Sequence, residues 1–335
     1  MSTQPAPTPR SKPRPALRLV STRDMSREKW LRIRKNGIGS SDAAAAVGLN
    51  PYQSPLELWM IKTGRDTDMP KINPSDDSSP TYWGTLLEPF VAEFYQRQAG
   101  RRVRRVNAIL QHPDADKSWM LANIDREVVG VPDVQILECK TAGEFGSRLW
   151  RHGVPEYVQC QVQHQLAVTG KQAADVCVLL CGQQIQIHRI ERDDELIARL
   201  IELERQFWHY VETDTPPPGD GSDSAAMALQ YLYPRDSGNT LDLSHDDAMS
   251  EAFEELMTVR ASLDDCQQRE ALLKQQIQQR MGDASRARFT SGEVSWKRSK
   301  DSVVLDTVRL LKEQPELLNA YQLPKPGSRR FLIHR

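Results

Sequence analysis

Residues 121–142, LANIDREVVGVPDVQILECKTA, constrain the fold of this chain more than any other stretch. Two apolar runs flank Gly130-Val131-Pro132-Asp133, a turn signal, so the stretch reads as a β-hairpin. Alternate side chains of a strand point to opposite faces, which puts Glu138 and Lys140 on one face and Cys139 on the other. Asp125, on the first arm, can meet Glu138 across the hairpin. Asp133 lies five residues before Glu138, so on a continuous strand it faces the opposite way. It also sits in the turn, where aspartate serves local hydrogen bonding. The second carboxylate is therefore read as Asp125. Thirteen residues separate it from Glu138, so the hairpin must be wide enough to bring them together.

The elements around this hairpin set the fold class. Ser26 can cap a helix over 26–35, closed by Asn36-Gly37. Ser41 or Asp42 can cap a second through the alanine run to Gly48, and Pro55 opens a third that Gly64 closes. A stronger helix is expected over 82–99, with Leu87, Val91, Phe94 and Tyr95 at helical spacing. Strands are expected over 103–110, 119–129 and 134–140, then a helix over 155–169. A hairpin turning near Gly182 and a long amphipathic helix over 193–211 complete this half. The order predicts an α/β fold: a mixed central β-sheet flanked by helices, with a mainly helical C-terminal extension.

The domain reading is a disordered tail over 1–16, a catalytic domain over 17–214, a linker over 215–240 and an extension over 241–335. The linker rests on Thr215-Pro-Pro-Pro-Gly-Asp-Gly-Ser-Asp-Ser224. Beyond it, 243–247 reads as a capping box opening a helix to Gly282. That helix carries a seven-residue stripe (Met249, Ala252, Leu256, Val259, Leu263, Cys266, Glu270, Leu273, Ile277, Arg280), eight of its ten positions apolar or small, which fits packing against a partner helix. A basic final strand is expected over 328–333.

Composition excludes several classes. The five cysteines form no C-x-x-C pair, which argues against a disulfide framework or zinc site and for a reducing, cytoplasmic interior. No run approaches a membrane helix in length. A net charge of −1 hides strong asymmetry: residues 10–35 hold ten basic and two acidic residues, and 286–335 hold eleven and five. Residues 191–255 reverse this, with seventeen acidic against four basic. The basic regions can track phosphates, or be ordinary solvated faces.

Two carboxylates converging on one point bind a hard divalent cation through oxygen. A lysine beside them can orient or deprotonate a water and offset phosphate charge. An acid followed by Glu-x-Lys is thus the arrangement of metal-dependent nucleases, although Glu138 and Lys140 alone could form an ordinary ion pair on an edge strand. Glu88 alone could be a solvated helix residue, and Gln161 could merely flank an apolar stripe. His152, His164 and His209 have no ligand spacing and read as structural or exposed.

Five segments in order carry a resemblance: Trp30-x-x-x-Arg34 with Gly37-Ile-Gly-Ser-Ser-Asp42; Trp83-Gly-Thr-Leu-Leu-Glu88-Pro; Ala122-Asn-Ile-Asp125-Arg; Leu137-Glu138-Cys-Lys140-Thr-Ala; and Val154-Pro-Glu-Tyr-Val-Gln-Cys-Gln161 onward to Gly170. Over about residues 25–212 the chain resembles the YqaJ-like viral recombinases, the phage lambda exonuclease family, within the PD-(D/E)XK restriction-endonuclease-like superfamily. The resemblance implies that Asp125 and Glu138 bind metal, with the Cys139 carbonyl and a further carboxylate from Glu88. It gives Lys140 the attacking water, brings Gln161 to the site from its helix, and sets Arg34 and Ser41 on a DNA phosphate. Ser41 would stand at a helix N-terminus, which favours an anion. The implied cofactor is Mg²⁺, with Mn²⁺ able to substitute, as two ions. The implied activity is 5′-to-3′ resection of double-stranded DNA by a ring-shaped homotrimer, leaving single strand for an annealing protein of the RecT or Red-beta type. An endonuclease of restriction or defence type and a catalytically silent DNA-binding accessory remain as alternatives. Nothing in the family's minimal exonuclease accounts for residues 216–335.

Overall fold

The structure, a computed structural model, describes residues 15–71, 73, 75–324 and 327–334. Most of the expected N-terminal tail, residues 1–14, lies outside the described residues. The chain divides between Pro234 and Arg235 into two compact units.

The first unit is α/β. Strand β1 (Leu17–Ser21) precedes α1 (Arg27–Arg34), where the Ser26 side chain accepts from the Lys29 amide. The short β2 (Ile38–Gly39) leads through a 3₁₀ turn into α2 (Ala43–Ala46). Next comes α3 (Pro55–Thr63), with Ser54 as its cap and Gly64 ending it at φ 78°. Helix α4 (Pro80–Ala99) starts at its proline, two residues before the expected position. There follow β3 (Arg102–Arg105), β4 (Ala108–Gln111), β5 (Met120–Ala122), β6 (Arg126–Val129) and β7 (Ile136–Ala142). Then come α5 (Glu144–Ser147), α6 (Glu156–Thr169), β8 (Ala173–Leu180), β9 (Gln184–Glu191), α7 (Asp194–Glu212) and α8 (Asp223–Leu232).

The strands make two mixed sheets where the sequence suggested one. Their orders are β1-β4-β5-β2, with only β5 and β2 parallel, and β3-β6-β7-β8-β9, with only β7 and β8 parallel. The runs expected as single strands over 103–110 and 119–129 each break, at Val106-Asn107 and over 123–125, and send one half into each sheet. Asp125 stands in the second break. Between the parallel strands runs α6, which buries eleven of its fourteen residues. The core on its side of the sheet is Val158, Val162, Leu166, Ile136, Val176 and Val178.

The expected linker over 215–240 is partly wrong. Ser222 caps α8, which buries Ala225 and Ala228, and Ser224 Oγ donates to Glu57 Oε2 at 2.5 Å on α3. Proline and glycine at 216–221 obscure a docked helix that begins right after them.

The second unit holds α9 (Asp247–Met281), the hairpin β10 (Arg286–Phe289) and β11 (Gly292–Ser295), α10 (Thr307–Glu313) and α11 (Glu316–Tyr321). Asp246, within the expected capping box over 243–247, caps α9, accepting from the Met249 amide. Among the described residues α9 buries only Met281, so its apolar stripe has no covering helix in this unit. Residues 328–333, expected as a final strand, form no strand among the described residues. No helix of the described residues is long and apolar enough to cross a membrane.

Candidate active site

The register of β6 on β7 sets the site. Arg126 pairs with Leu137 and Glu127 with Ile136, which places Asp125 opposite Glu138 at the mouth of the β5–β6 break. The wide hairpin therefore closes, and Asp125 Oδ2 accepts from the Cys139 amide at 2.9 Å. A strand residue sends its N–H and C=O to the same edge, so the Cys139 carbonyl faces the Asp125 side as well.

Glu138 is 3% exposed and fully bonded. Its Oε1 accepts from Gln161 Nε2 at 2.6 Å and lies 2.9 Å from Lys140 Nζ, while Oε2 accepts from Gln165 Nε2 at 2.8 Å. Lys140 Nζ also donates to Gln161 Oε1 at 2.8 Å, so Gln161 ties the carboxylate to the ammonium. Gln161 and Gln165 lie one helical turn apart, and α6 presents both to β7. Gln165 was missed in the sequence, where Gln159 and Gln163 on the same helix show the same i,i+4 spacing.

Burial, reinforced by the Glu138 charge beside it, pushes the Asp125 carboxyl up to about 8. Burial works against the charged form of Lys140, but Glu138 and Asp125 outweigh it and raise the ammonium pKa. Two buried carboxyl groups thus face each other, and among the described residues Lys140 is the one cation bonded to Glu138.

The opposite wall carries Arg34 and Ser41. Arg34 Nη2 donates to Ser41 Oγ at 2.6 Å and Asp42 Oδ1 at 2.5 Å, and the guanidinium lies 4.6 Å from the Trp30 ring centroid. Asp42 Oδ2 accepts from Lys62 Nζ at 2.7 Å and the Gly39 amide at 3.0 Å. Burial pushes Asp42 upward, yet Arg34 and Lys62 hold its carboxyl well below the usual range. Gly39 leaves room for the guanidinium: a Cβ there would lie 2.6 Å from Arg34 Nη2. Arg34 Nε is buried with no hydrogen-bond partner among the described residues. Asp42 and Lys62 were not read as site residues from the sequence, because partners twenty residues apart give no local pattern. Ser41 does not head a long helix. It lies in the 3₁₀ turn over 40–42 before a four-residue α2, so the helix-terminus argument fails and the hydroxyl acts through Arg34.

All eight expected residues, Arg34, Ser41, Glu88, Asp125, Glu138, Cys139, Lys140 and Gln161, line one cleft of about 450 Å³. Glu88 departs from expectation in its contacts. Its Oε1 is 2.5 Å from Arg126 Nη1 and 3.5 Å from Arg105, so its carboxylate is held by arginine. Among the described residues no group of three His, Cys, Asp or Glu side chains is arranged to hold a metal ion. Asp133 lies outside the cleft, held by Arg101 at 2.7 Å and Arg189 at 3.3 Å. Of the histidines, His164 is fully buried between Glu204 and the Leu121 carbonyl.

This fold and this cleft accompany clear sequence kinship. The chain belongs to the family of YqaJ-like viral recombinases, whose domain model matches residues 29–172. The uncharacterized protein YqaJ of Bacillus subtilis (strain 168) is 34% identical over 304 residues, 89% of this chain and 92% of that protein. Among solved structures, an alkaline exonuclease (LHK-Exo) from Laribacter hongkongensis is 26% identical and covers 56% of this chain and 93% of its own, with a TM-score of 0.44. A phage-related exonuclease from Haemophilus somnus 129PT is 12% identical, covering 55% of this chain and 99% of its own, with a TM-score of 0.38.

Proposed function

We propose that this chain is a Mg²⁺-dependent DNA exonuclease of phage-type recombination. The observation that carries the reading is the joining of Asp125, Glu138, Lys140 and Gln161 at one wall of a cleft whose other wall carries Arg34. The donor set fits a hard cation: carboxylate oxygens of Asp125 and Glu138 and the Cys139 carbonyl would hold Mg²⁺ or Mn²⁺. Glu88 would join them, and help hold a second ion, only by exchanging Arg126 for the cation. Divalent ions held there would supply charge stabilisation for an in-line phosphoryl displacement and would lower the pKa of water.

The protein's own groups supply the rest. Lys140 offers ammonium protons to an anionic oxygen, and Gln161 fixes its direction. Gln165 holds the second Glu138 oxygen, so the carboxylate cannot swing away. Arg34, braced by Asp42 and stacked near Trp30, presents its fork to a phosphate, with the Ser41 hydroxyl alongside. In this reading the enzyme resects duplex DNA 5′ to 3′ as a ring-shaped homotrimer in the cytoplasm. A single-strand annealing protein takes the product.

Linear and covalently closed circular duplexes, incubated with Mg²⁺, separate the possibilities. An exonuclease degrades the linear DNA and leaves the circle intact. Nicking of the circle would make it an endonuclease, and loss of neither would make it a DNA-binding accessory.

A further inference from the structure

A second cleft, of about 580 Å³, lies beside the β5–β6 break. Ile124 lines it, while its neighbour Asp125 lines the candidate active site, so the break forms the wall between the two. Five cations line this second cleft: Arg18 on β1, Arg23 just after it, Arg104 and Arg105 on β3, and Lys171 after α6. Only Asp24 and Glu127 oppose them. Glu127 is shared by Arg104 and by Lys171 at 2.9 Å. Arg18 and Arg23 make no side-chain ion pair or hydrogen bond among the described residues. Arg105 links the clefts, lining this one while reaching within 3.5 Å of Glu88 in the other.

Like charges gathered in a concavity repel each other and focus a positive potential, which an anion relieves. The apolar part of the lining, Val106, Leu110 and Ile124, suits a sugar or base edge and not a free phosphate ion. A single strand, unlike a stacked duplex, can turn its sugars and base edges to that apolar lining while its phosphates meet the cations. We infer that it is a backbone site for single-stranded DNA, gripped chiefly by Arg18 and Arg23. This rests on the nuclease reading, for the strand it holds is the one running on past the cleavage centre.

The test uses the full chain and a fluorescent oligo(dT), with anisotropy read across a salt series. Replacing both arginines, Arg18→Ala with Arg23→Ala, should weaken binding and flatten the slope of log K against log salt by about 1.4, from about 0.7 per phosphate contact on single strands. Both residues are exposed, so the fold should survive. The Arg18→Lys, Arg23→Lys protein should keep the slope. A control, Arg97→Ala with Arg199→Ala, removes equal charge from exposed helix ion pairs and should change nothing. An unchanged slope in the first variant, an equal loss in the control, or a wild type that does not bind oligo(dT) would overturn the inference. Cleavage of linear duplex is measured in parallel. A protein that loses the slope but never cuts keeps this cleft and refutes the nuclease reading, and one that cuts with the slope intact does the reverse.

Discussion

Asp125→Ala is expected to abolish cleavage of linear duplex DNA, while Asp133→Ala retains most of it. Loss of a residue that merely orients a metal ligand costs roughly 10–100-fold, and loss of a ligand itself should exceed that range. Asp125 is also the residue whose carboxylate bonds the Cys139 amide, so its removal leaves the Cys139 amide without this partner and Glu138 without its facing acid. The fold should persist, because a break between two sheets tolerates a smaller side chain better than a strand centre does, and thermal unfolding checks this. Asp133 bonds Arg101 and Arg189 away from the cleft, and its replacement should cost only part-exposed ion-pair energy. Activity surviving in Asp125→Ala and vanishing in Asp133→Ala would reverse the assignment.

The second large effect is on stability. His164 and Glu204 are both fully buried, with His164 Nδ1 2.7 Å from Glu204 Oε1 and Nε2 2.9 Å from the Leu121 carbonyl. Nε2–H can donate to the Leu121 carbonyl, and Nδ1 shares a proton with the Glu204 carboxyl. Burial works against a charged ring, but Glu204 outweighs it and raises the His164 pKa. The pair ties α6, which carries Gln161 and Gln165, to α7 and β5. Glu204→Ala leaves the buried His164 Nδ1 without its partner and should cost roughly 1–3 kcal/mol. In a unit of this size that corresponds to roughly 2–4 °C in Tm for each kcal/mol. The pH dependence has a definite sign. The folded state holds a proton that the unfolded chain releases near pH 6.5, so the pair contributes fully below that value and progressively less as pH rises through the folded pKa. The Tm gap between wild type and Glu204→Gln should therefore be widest below pH 6.5 and narrow above it. Equal Tm values, or a gap that grows with pH, would contradict this.

What the sequence disclosed was mostly local. The Ser26 cap, Pro55 with the glycine after Thr63, and the apolar stripe of α6 are short-range signals, and those helices formed where they predict. The strand breaks at 106–107 and 123–125 carry Asn107, Asn123 and Asp125 but no glycine or proline to mark a turn, and only the pairing of their halves into different sheets makes the bend. Glu138 and Lys140 were legible from strand alternation, and Asp125 from the hairpin. The contacts of Glu88 were not, since Arg105 and Arg126 reach it only through tertiary placement on β3 and β6. Residues 328–333 look strand-like, but a run of three apolar residues needs a partner strand to pair with. The stripe on α9 was readable, yet periodicity alone names no partner.

The central claim is that a divalent cation held by Asp125 and Glu138 drives DNA cleavage. It is tested most directly by measuring nucleotide release from linear duplex DNA in Mg²⁺, then in excess EDTA, then after Mg²⁺ is restored. Release should stop in EDTA and return with Mg²⁺. Mn²⁺ should substitute, and Ca²⁺ should bind without efficient turnover. Release continuing at full strength in excess EDTA would contradict the account.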